Sequence, residues 1–293
     1  MRKLPLMRTS GFYACLVGIC LLLSCTKSNE ERQTDPSRQE DLVNVAYGSD
    51  GRQRFNIYLP AGRSDTATPV LFFIHGGAWT GGSKDDLVSA IPGFRQLFPD
   101  CAIVLVNYRL FNLQTGGNKF PVQEQDVKAC IDAVMTNNSD YHISRKFVLW
   151  GQSAGAHLAA LYAYKHAGTF KPRALIDQVG PTDMLSMYTQ LADPNLKILM
   201  KALIGDPQTG DSVLYKSSSP SQYVSPDCPP TLILHGTADE VVPYKQAELL
   251  RDKLQQNGVP FIYKLYPGEG HALTGVAAEV NSEIVAFLQT WLK

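Results

Sequence analysis

Apolar residues fall along this chain in short dense blocks separated by longer amphipathic stretches. Val70–Ile74 is an unbroken apolar run, the signature of a strand buried on both faces. Ala102–Val106, Phe147–Trp150, Leu175–Val179, Thr231–Leu234 and Phe261–Tyr266 repeat that character. Gln53–Leu59 alternates apolar and polar residues instead, which predicts an antiparallel strand ahead of the others. Between the blocks the spacing predicts helices over about Asp85–Leu97, Val122–Asn137, Ala154–His166, Tyr244–Asn257 and Ala277–Leu292. Strands alternating with helices in this way imply an α/β fold: a mostly parallel central sheet flanked by helices on both faces. One interval breaks the rhythm. Pro181 to Thr231 is too long for a simple crossover and is rich in Pro, Ser, Asp and Met, with one helix expected over Asn195–Ile204. A small cap over the sheet, at about residues 184–224, is the expectation.

The amino-terminal end follows a different pattern. Arg2, Lys3 and Arg8 precede an apolar run from Gly11 to Leu23. That run falls short of the roughly 20 residues of a membrane-spanning helix and reads as the core of a secretory leader. It closes on Leu22-Leu23-Ser24-Cys25, which resembles the lipobox of bacterial lipoproteins. The resemblance implies a signal peptide over residues 1–24, cleavage before Cys25, and a lipid anchor on the Cys25 thiol that holds an exported protein to a membrane, at the periplasmic face or the cell surface. An ordinary signal peptide or a short anchor is the alternative. Residues 25–40 are polar and lack a hydrophobic pattern, as a flexible tether would. The catalytic domain is expected over residues 41–293.

Charge narrows the partners. The whole chain has 27 basic and 27 acidic side chains, so no basic field points to nucleic acid. Loss of residues 1–24 removes three bases and no acid, leaving the rest mildly negative. Beyond the leader, Cys101, Cys130 and Cys228 are widely spaced, without the spacing of a zinc site. Cys101 and Cys130 sit in core patterns, and a disulfide between two of the three is left open.

Candidate chemistry clusters at the carboxyl ends of the strands, where open parallel sheets bind ligands. Gly151-Gln152-Ser153-Ala154-Gly155 falls where a strand becomes a helix. Flanking glycines permit a turn tight enough to lift Ser153 out of both elements, and the following helix aims its amides at developing negative charge. A hydroxyl needs a base to become a nucleophile. Of six histidines, His271 lies in the loop Pro267-Gly268-Glu269-Gly270-His271 between the last strand and last helix. His75 and His235 each precede a glycine at a strand end, and His157 is expected to point along its helix, away from the hydroxyl. Asp239 follows the Thr231–Leu234 strand by a short turn and is the candidate orienting acid; Asp183, which also follows a strand, is its rival. His75-Gly76-Gly77-Ala78-Trp79 follows the first buried strand. There the amides of Gly77 and Ala78, with that of Ala154, would form an oxyanion cradle. Trp79 and Asn112 are candidate pocket residues, Trp79 either as a platform for a substrate ring or as a packing anchor.

The stretches HGGAWTGG, NYRL, GQSAGAHLAA, HGTADEVVP and GEGHAL resemble the α/β-hydrolase superfamily, and within it the HGGxW carboxylesterases related to hormone-sensitive lipase and to bacterial feruloyl and acetyl esterases. The resemblance runs from about Asn44 to the C-terminus. It implies an α/β-hydrolase fold with a central sheet of about eight strands, Ser153 as nucleophile, Asp239 and His271 as its partners, oxyanion amides at Gly77, Ala78 and Ala154, and neither metal nor organic cofactor. The chain departs from the commoner SAGG at His157 and from HGGG at Ala78. The expected activity is hydrolysis of short or aromatic acyl esters, small molecules or acyl groups on glycans, through an acyl-enzyme. Two rival readings stand beside it: a serine peptidase of the prolyl-oligopeptidase type, and a hydrolase-like protein that binds without catalysis.

Overall fold

The computed structural model describes Met1 and residues 34–293. The expected signal peptide, the Cys25 anchor and most of the expected tether lie outside the described residues. Eight strands form one sheet: β1 (Glu40–Ala46), β2 (Arg54–Leu59), β3 (Val70–Ile74), β4 (Ala102–Val106), β5 (Phe147–Gln152), β6 (Ala174–Gln178), β7 (Thr231–Gly236) and β8 (Phe261–Tyr266). Their spatial order is β1-β2-β4-β3-β5-β6-β7-β8. β2 runs antiparallel to both its neighbours, and every pair from β4 onward is parallel. This is the α/β-hydrolase architecture that the motifs implied.

The central strands are buried on both faces, which is why they read as unbroken apolar runs. On one face Phe72, Ile74, Val104 and Leu149 pack with α2 (Val122–Thr136), α3 (Ala154–Leu161) and α7 (Lys245–Gln256). On the other, Leu71, Phe73, Trp150 and Ile176 pack with α1 (Ile91–Leu97) and α8 (Ala277–Trp291). The sheet is therefore the stiff middle layer, and its carboxyl edge is a fixed platform for loops.

Three expectations need correction. The tether does not reach residue 40. Thr34 Oγ1 donates to the Asp140 carbonyl (2.7 Å), and the Arg63 guanidinium, its side chain fully enclosed, donates to the Arg38 carbonyl (2.6 Å) and pairs with Glu40. Hydrogen bonds to a buried cation order this polar stretch where apolar burial cannot. The helix expected over Asp85–Leu97 is a 3-10 segment, Lys84–Ala90, running into α1. The helix expected over Ala154–His166 leaves α geometry after Leu161 and ends in a π turn, Tyr162–His166. There Lys165 and His166 both reach the buried carboxylate of Glu124.

The cap is present as four short elements: α4 (Met184–Gln190), α5 (Pro194–Ile204), α6 (Ser212–Ser217) and a 3-10 turn at Pro220–Tyr223. Cys101, Cys130 and Cys228 are free thiols, all buried.

Candidate active site

The turn between β5 and α3 has the backbone its sequence calls for. Ser153 adopts φ 54°, ψ −120°, a conformation worth about 1–3 kcal/mol of strain for a residue with a side chain. Close packing enforces it. A Cβ on Gly155 would lie 2.0 Å from the Ile74 carbonyl oxygen, and one on Gly151 would lie 2.3 Å from the Gly155 carbonyl. Only hydrogen fits at either place, so β3 and β5 hold the turn in a vice and Ser153 is pushed outward. Its own N–H donates to the Gln178 carbonyl (2.8 Å), which ties the turn to the neighbouring strand.

His271 meets this hydroxyl. Its Nε2 lies 2.9 Å from Ser153 Oγ, and its Nδ1 lies 2.7 Å from Asp239 Oδ2. With Nδ1–H donating to the carboxylate, Nε2 is left to accept the serine proton. The loops carrying the two residues are joined through backbone: the Ala238 N–H donates to the Glu269 carbonyl (2.9 Å). Asp239 Oδ1 accepts the N–H groups of Val241 (2.9 Å) and Val242 (2.8 Å). Burial opposes ionisation of this carboxyl, but the hydrogen bonds from His235, His271 and the Val242 amide outweigh it and hold Asp239 well below the usual carboxylate range. Asp183, the rival acid, accepts the Ser186 N–H (2.9 Å) and caps α4 instead.

The expected oxyanion loop lies against the turn: a Cβ on Gly76 would sit 3.2 Å from Ser153 Cβ. Gly77 (φ 110°), Ala78 (φ 50°) and Trp79 (φ 60°) all have positive φ. Among the described residues no acceptor takes the N–H of Gly77, Ala78 or Ala154. His75 braces this loop. Its Nδ1–H donates to the Gly76 carbonyl (2.7 Å), and its ring stacks on Tyr108 at 4.4 Å. Burial holds it neutral, with a pKa of about 4.

Trp79 is the packing anchor and not the platform. It is 4% exposed, and its Nε1–H donates to His157 Nδ1 (3.2 Å). The positive φ of Ala78 and Trp79 turns the indole into the core. His157 in turn donates from Nε2 to the Ser218 carbonyl (2.7 Å), so one neutral imidazole joins oxyanion loop, nucleophile helix and cap. Burial lowers its pKa to about 4. Asn112 lines a groove of about 600 Å³ with Thr80, Phe111, Asn118, Leu196 and Leu199, between the 110–118 loop and the cap. Its side-chain oxygen, however, accepts the N–H groups of Gln114 and Thr115 and so shapes its own loop. A second cleft, about 750 Å³, adjoins the acid side and is lined by Gln190, Asp193, Thr237, Asp239, Glu240 and Tyr244. Reading the sequence alone missed His75, His157 and His235 as parts of the site. Their common signal was an imidazole next to a glycine or the nucleophile turn, at the edge where the chemistry sits. No group of three or more potential metal ligands occurs among the described residues.

Comparison with known proteins agrees with this geometry. The BD-FAE family matches residues 55–254. A probable carboxylic ester hydrolase of Mycobacterium tuberculosis, LipM, is 30% identical over 82% of this chain and 58% of its own length. A probable isoprenylcysteine alpha-carbonyl methylesterase of Oryza sativa subsp. japonica is 27% identical over 78% of this chain and 56% of its own. The chain thus spans under three-fifths of these relatives. Among solved structures, a truncated carbohydrate esterase from gut microbiota superposes with a TM-score of 0.74 at 26% identity, covering 88% of this chain and 98% of that one.

Proposed function

We propose that this chain, which belongs to the BD-FAE family, is a serine carboxylesterase that works through an acyl-enzyme. One observation carries the reading: Ser153, His271 and Asp239 form an unbroken hydrogen-bonded chain at a strained strand–helix turn. Ser153 Oγ attacks the ester carbonyl as His271 Nε2 takes its proton. The oxyanion that forms is held by the N–H groups of Gly77, Ala78 and Ala154, each worth roughly 3 kcal/mol in the transition state. His271 then protonates the departing alcohol, and water repeats the sequence to release the acid. Asp239 stays ionised throughout and stabilises the imidazolium.

The substrate class is a short or aromatic acyl ester, including acetyl or feruloyl groups on glycans. Two features support it. The groove beside Thr80 is walled by Phe111, Leu196 and Leu199 and suits a compact acyl group. The cleft on the acid side offers Gln190, Thr237 and the ring of Tyr244, a set suited to a sugar alcohol. The carbohydrate esterase among its structural relatives points the same way. A fluorophosphonate should label Ser153 in the wild type and not in Ser153→Ala. Hydrolysis should favour acetylated xylan, feruloyl esters or short nitrophenyl esters over long-chain ones, and should leave peptidyl amides intact. No labelling at Ser153 would overturn the activity; preference for long chains would overturn the substrate class.

Export and lipid anchoring remain part of the proposal on the strength of the leader alone. Cys25→Ser should abolish incorporation of labelled palmitate and release the protein from membranes.

A further inference from the structure

Asp239 is gripped by two imidazoles, not one. On its far side from Ser153, His235 at the end of β7 lies with Nε2 3.2 Å from Asp239 Oδ2 and 2.8 Å from the Val242 carbonyl. Both of these partners are acceptors, so Nε2 carries the proton; it donates to the Val242 carbonyl and presents the positive side of the ring to Asp239 Oδ2. Oδ2 of Asp239 therefore accepts the N–H of the base, His271, on one side and faces the protonated nitrogen of His235 on the other. The His235 side chain is fully buried, as is that of Asp239.

The other nitrogen of His235 is unusual. Nδ1 is buried and has no hydrogen-bond partner, and the same is true of Asp177 Oδ2. The two groups are neighbours by strand register. Asp177 on β6 stands opposite Ile233 on β7, and His235 is two residues further along the same face. Burial raises the pKa of the Asp177 carboxyl to about 6. Its Oδ1 is committed to the Gly180 N–H (2.9 Å). Leaving a buried imidazole nitrogen and a buried carboxyl oxygen unsatisfied is unfavourable at both ends. The proton of the ring is fixed on Nε2 by the two acceptors that face that nitrogen, the Val242 carbonyl and the Asp239 carboxylate.

We propose that His235 is a second positioning residue of the catalytic centre: it supports Asp239 from behind through Nε2–H, and the Val242 carbonyl anchors its ring. The chain of groups then runs Ser153–His271–Asp239–His235 across the ends of three parallel strands, β5, β7 and β8. His235 touches no reacting atom. Its effect is to fix the direction of the Asp239 carboxylate and to withdraw some of its basicity from His271. The proposal rests on the esterase reading above.

Three variants test it, assayed on a nitrophenyl acetate with kcat, KM and the pH profile of kcat/KM. His235→Leu removes the N–H that faces Oδ2. Its kcat should fall roughly 10- to 100-fold, the worth of a hydrogen bond to a charged group, with KM unchanged. The acid limb of kcat/KM should move to higher pH, because an Asp239 with one donor fewer binds the protonated base more strongly. The ionisable groups around His235 are Asp239 and Asp177, with His271 beyond the first and Tyr164 beside the second; none of them replaces the lost N–H. His235→Gln, whose amide N–H falls near the Nε2 position, should recover most of the rate and return the acid limb to its wild-type place. His235→Asn, whose amide falls near Nδ1, should not. If His235→Leu fails to fold, the Gln and Asn pair decides the matter. Equal losses in Gln and Asn, with an unmoved acid limb, would reduce His235 to a brace for the Val242 loop and overturn the proposal. A wild type without esterase activity would sink the functional reading instead, and a fluorophosphonate adduct at Ser153 tells the two failures apart.

Discussion

The nucleophile turn and the cap are built on opposite principles. Around Ser153 the backbone does the positioning. Gly151, Gly155 and Gly76 let three chain segments approach so closely that a single methyl group would collide with a carbonyl oxygen or with Ser153 itself. The cap is assembled from short helices of 6 to 11 residues, held by side chains such as Met184, Met200 and Tyr215 on the inside. Ile198 (59% exposed) and Val213 (72% exposed) are left on its outside. A backbone vice has one arrangement. A side-chain raft has many of similar energy and tolerates exchange. The nucleophile is therefore held rigidly, while the elements over it are the adaptable part, where the proposed function places selectivity.

Substitutions at the turn should be severe. Ser153→Ala is expected to lower kcat by about four to six orders of magnitude with little change in Tm, measured by steady-state kinetics and calorimetry. A residual rate near wild type would break the contrast at its root. Gly155→Ala places its methyl against the Ile74 carbonyl. It should cost at or beyond the roughly 3 kcal/mol upper end for overpacking, read by urea unfolding.

Between the two regions sits His157. His157→Phe leaves Trp79 Nε1 and the Ser218 carbonyl without their partner. Roughly 1–3 kcal/mol per orphaned group should appear as a lower Tm, with faster proteolysis of the cap as a sharper sign that the joint has failed. Acid should probe the same joint. His75 and His157 titrate at about 4 in the folded protein because burial disfavours the cation, against roughly 6.5 in an unfolded chain. The unfolded chain binds more protons between those values, so their stabilising effect is complete above about pH 6.5 and is lost as pH falls toward 4. Urea midpoints at pH 7 and pH 4.5 should show that fall, and His157→Phe should flatten part of it. The smallest effect belongs to the cap wall. Leu199→Ala should change KM for butyryl over acetyl esters by about three- to tenfold and leave kcat within twofold.

Much of this was legible along the chain. The central strands announced themselves because both faces are buried, and the parallel order followed from the helices between them. β1 escaped notice: it is an exposed edge strand, Glu40–Ala46, with an irregularity between Leu42 and Val45, so it shows no clean alternation. Ser153, Asp239 and His271 were readable because each stands beside small residues at a strand end. Of the two readings of Trp79, the packing anchor holds: two successive positive φ values send the indole into the core, away from a substrate.

Local sequence determined the strand–turn–helix at Ser153, the glycine loop beside it and the run of buried strands, since each depends on contacts among near neighbours and on which residues tolerate a tight turn. Tertiary structure decided which carboxylate reached His271, why Asp183 became a helix cap, and how His157 and His235 were recruited. Those choices depend on where separate loops land on a shared sheet edge, and on which buried polar atoms must find partners there.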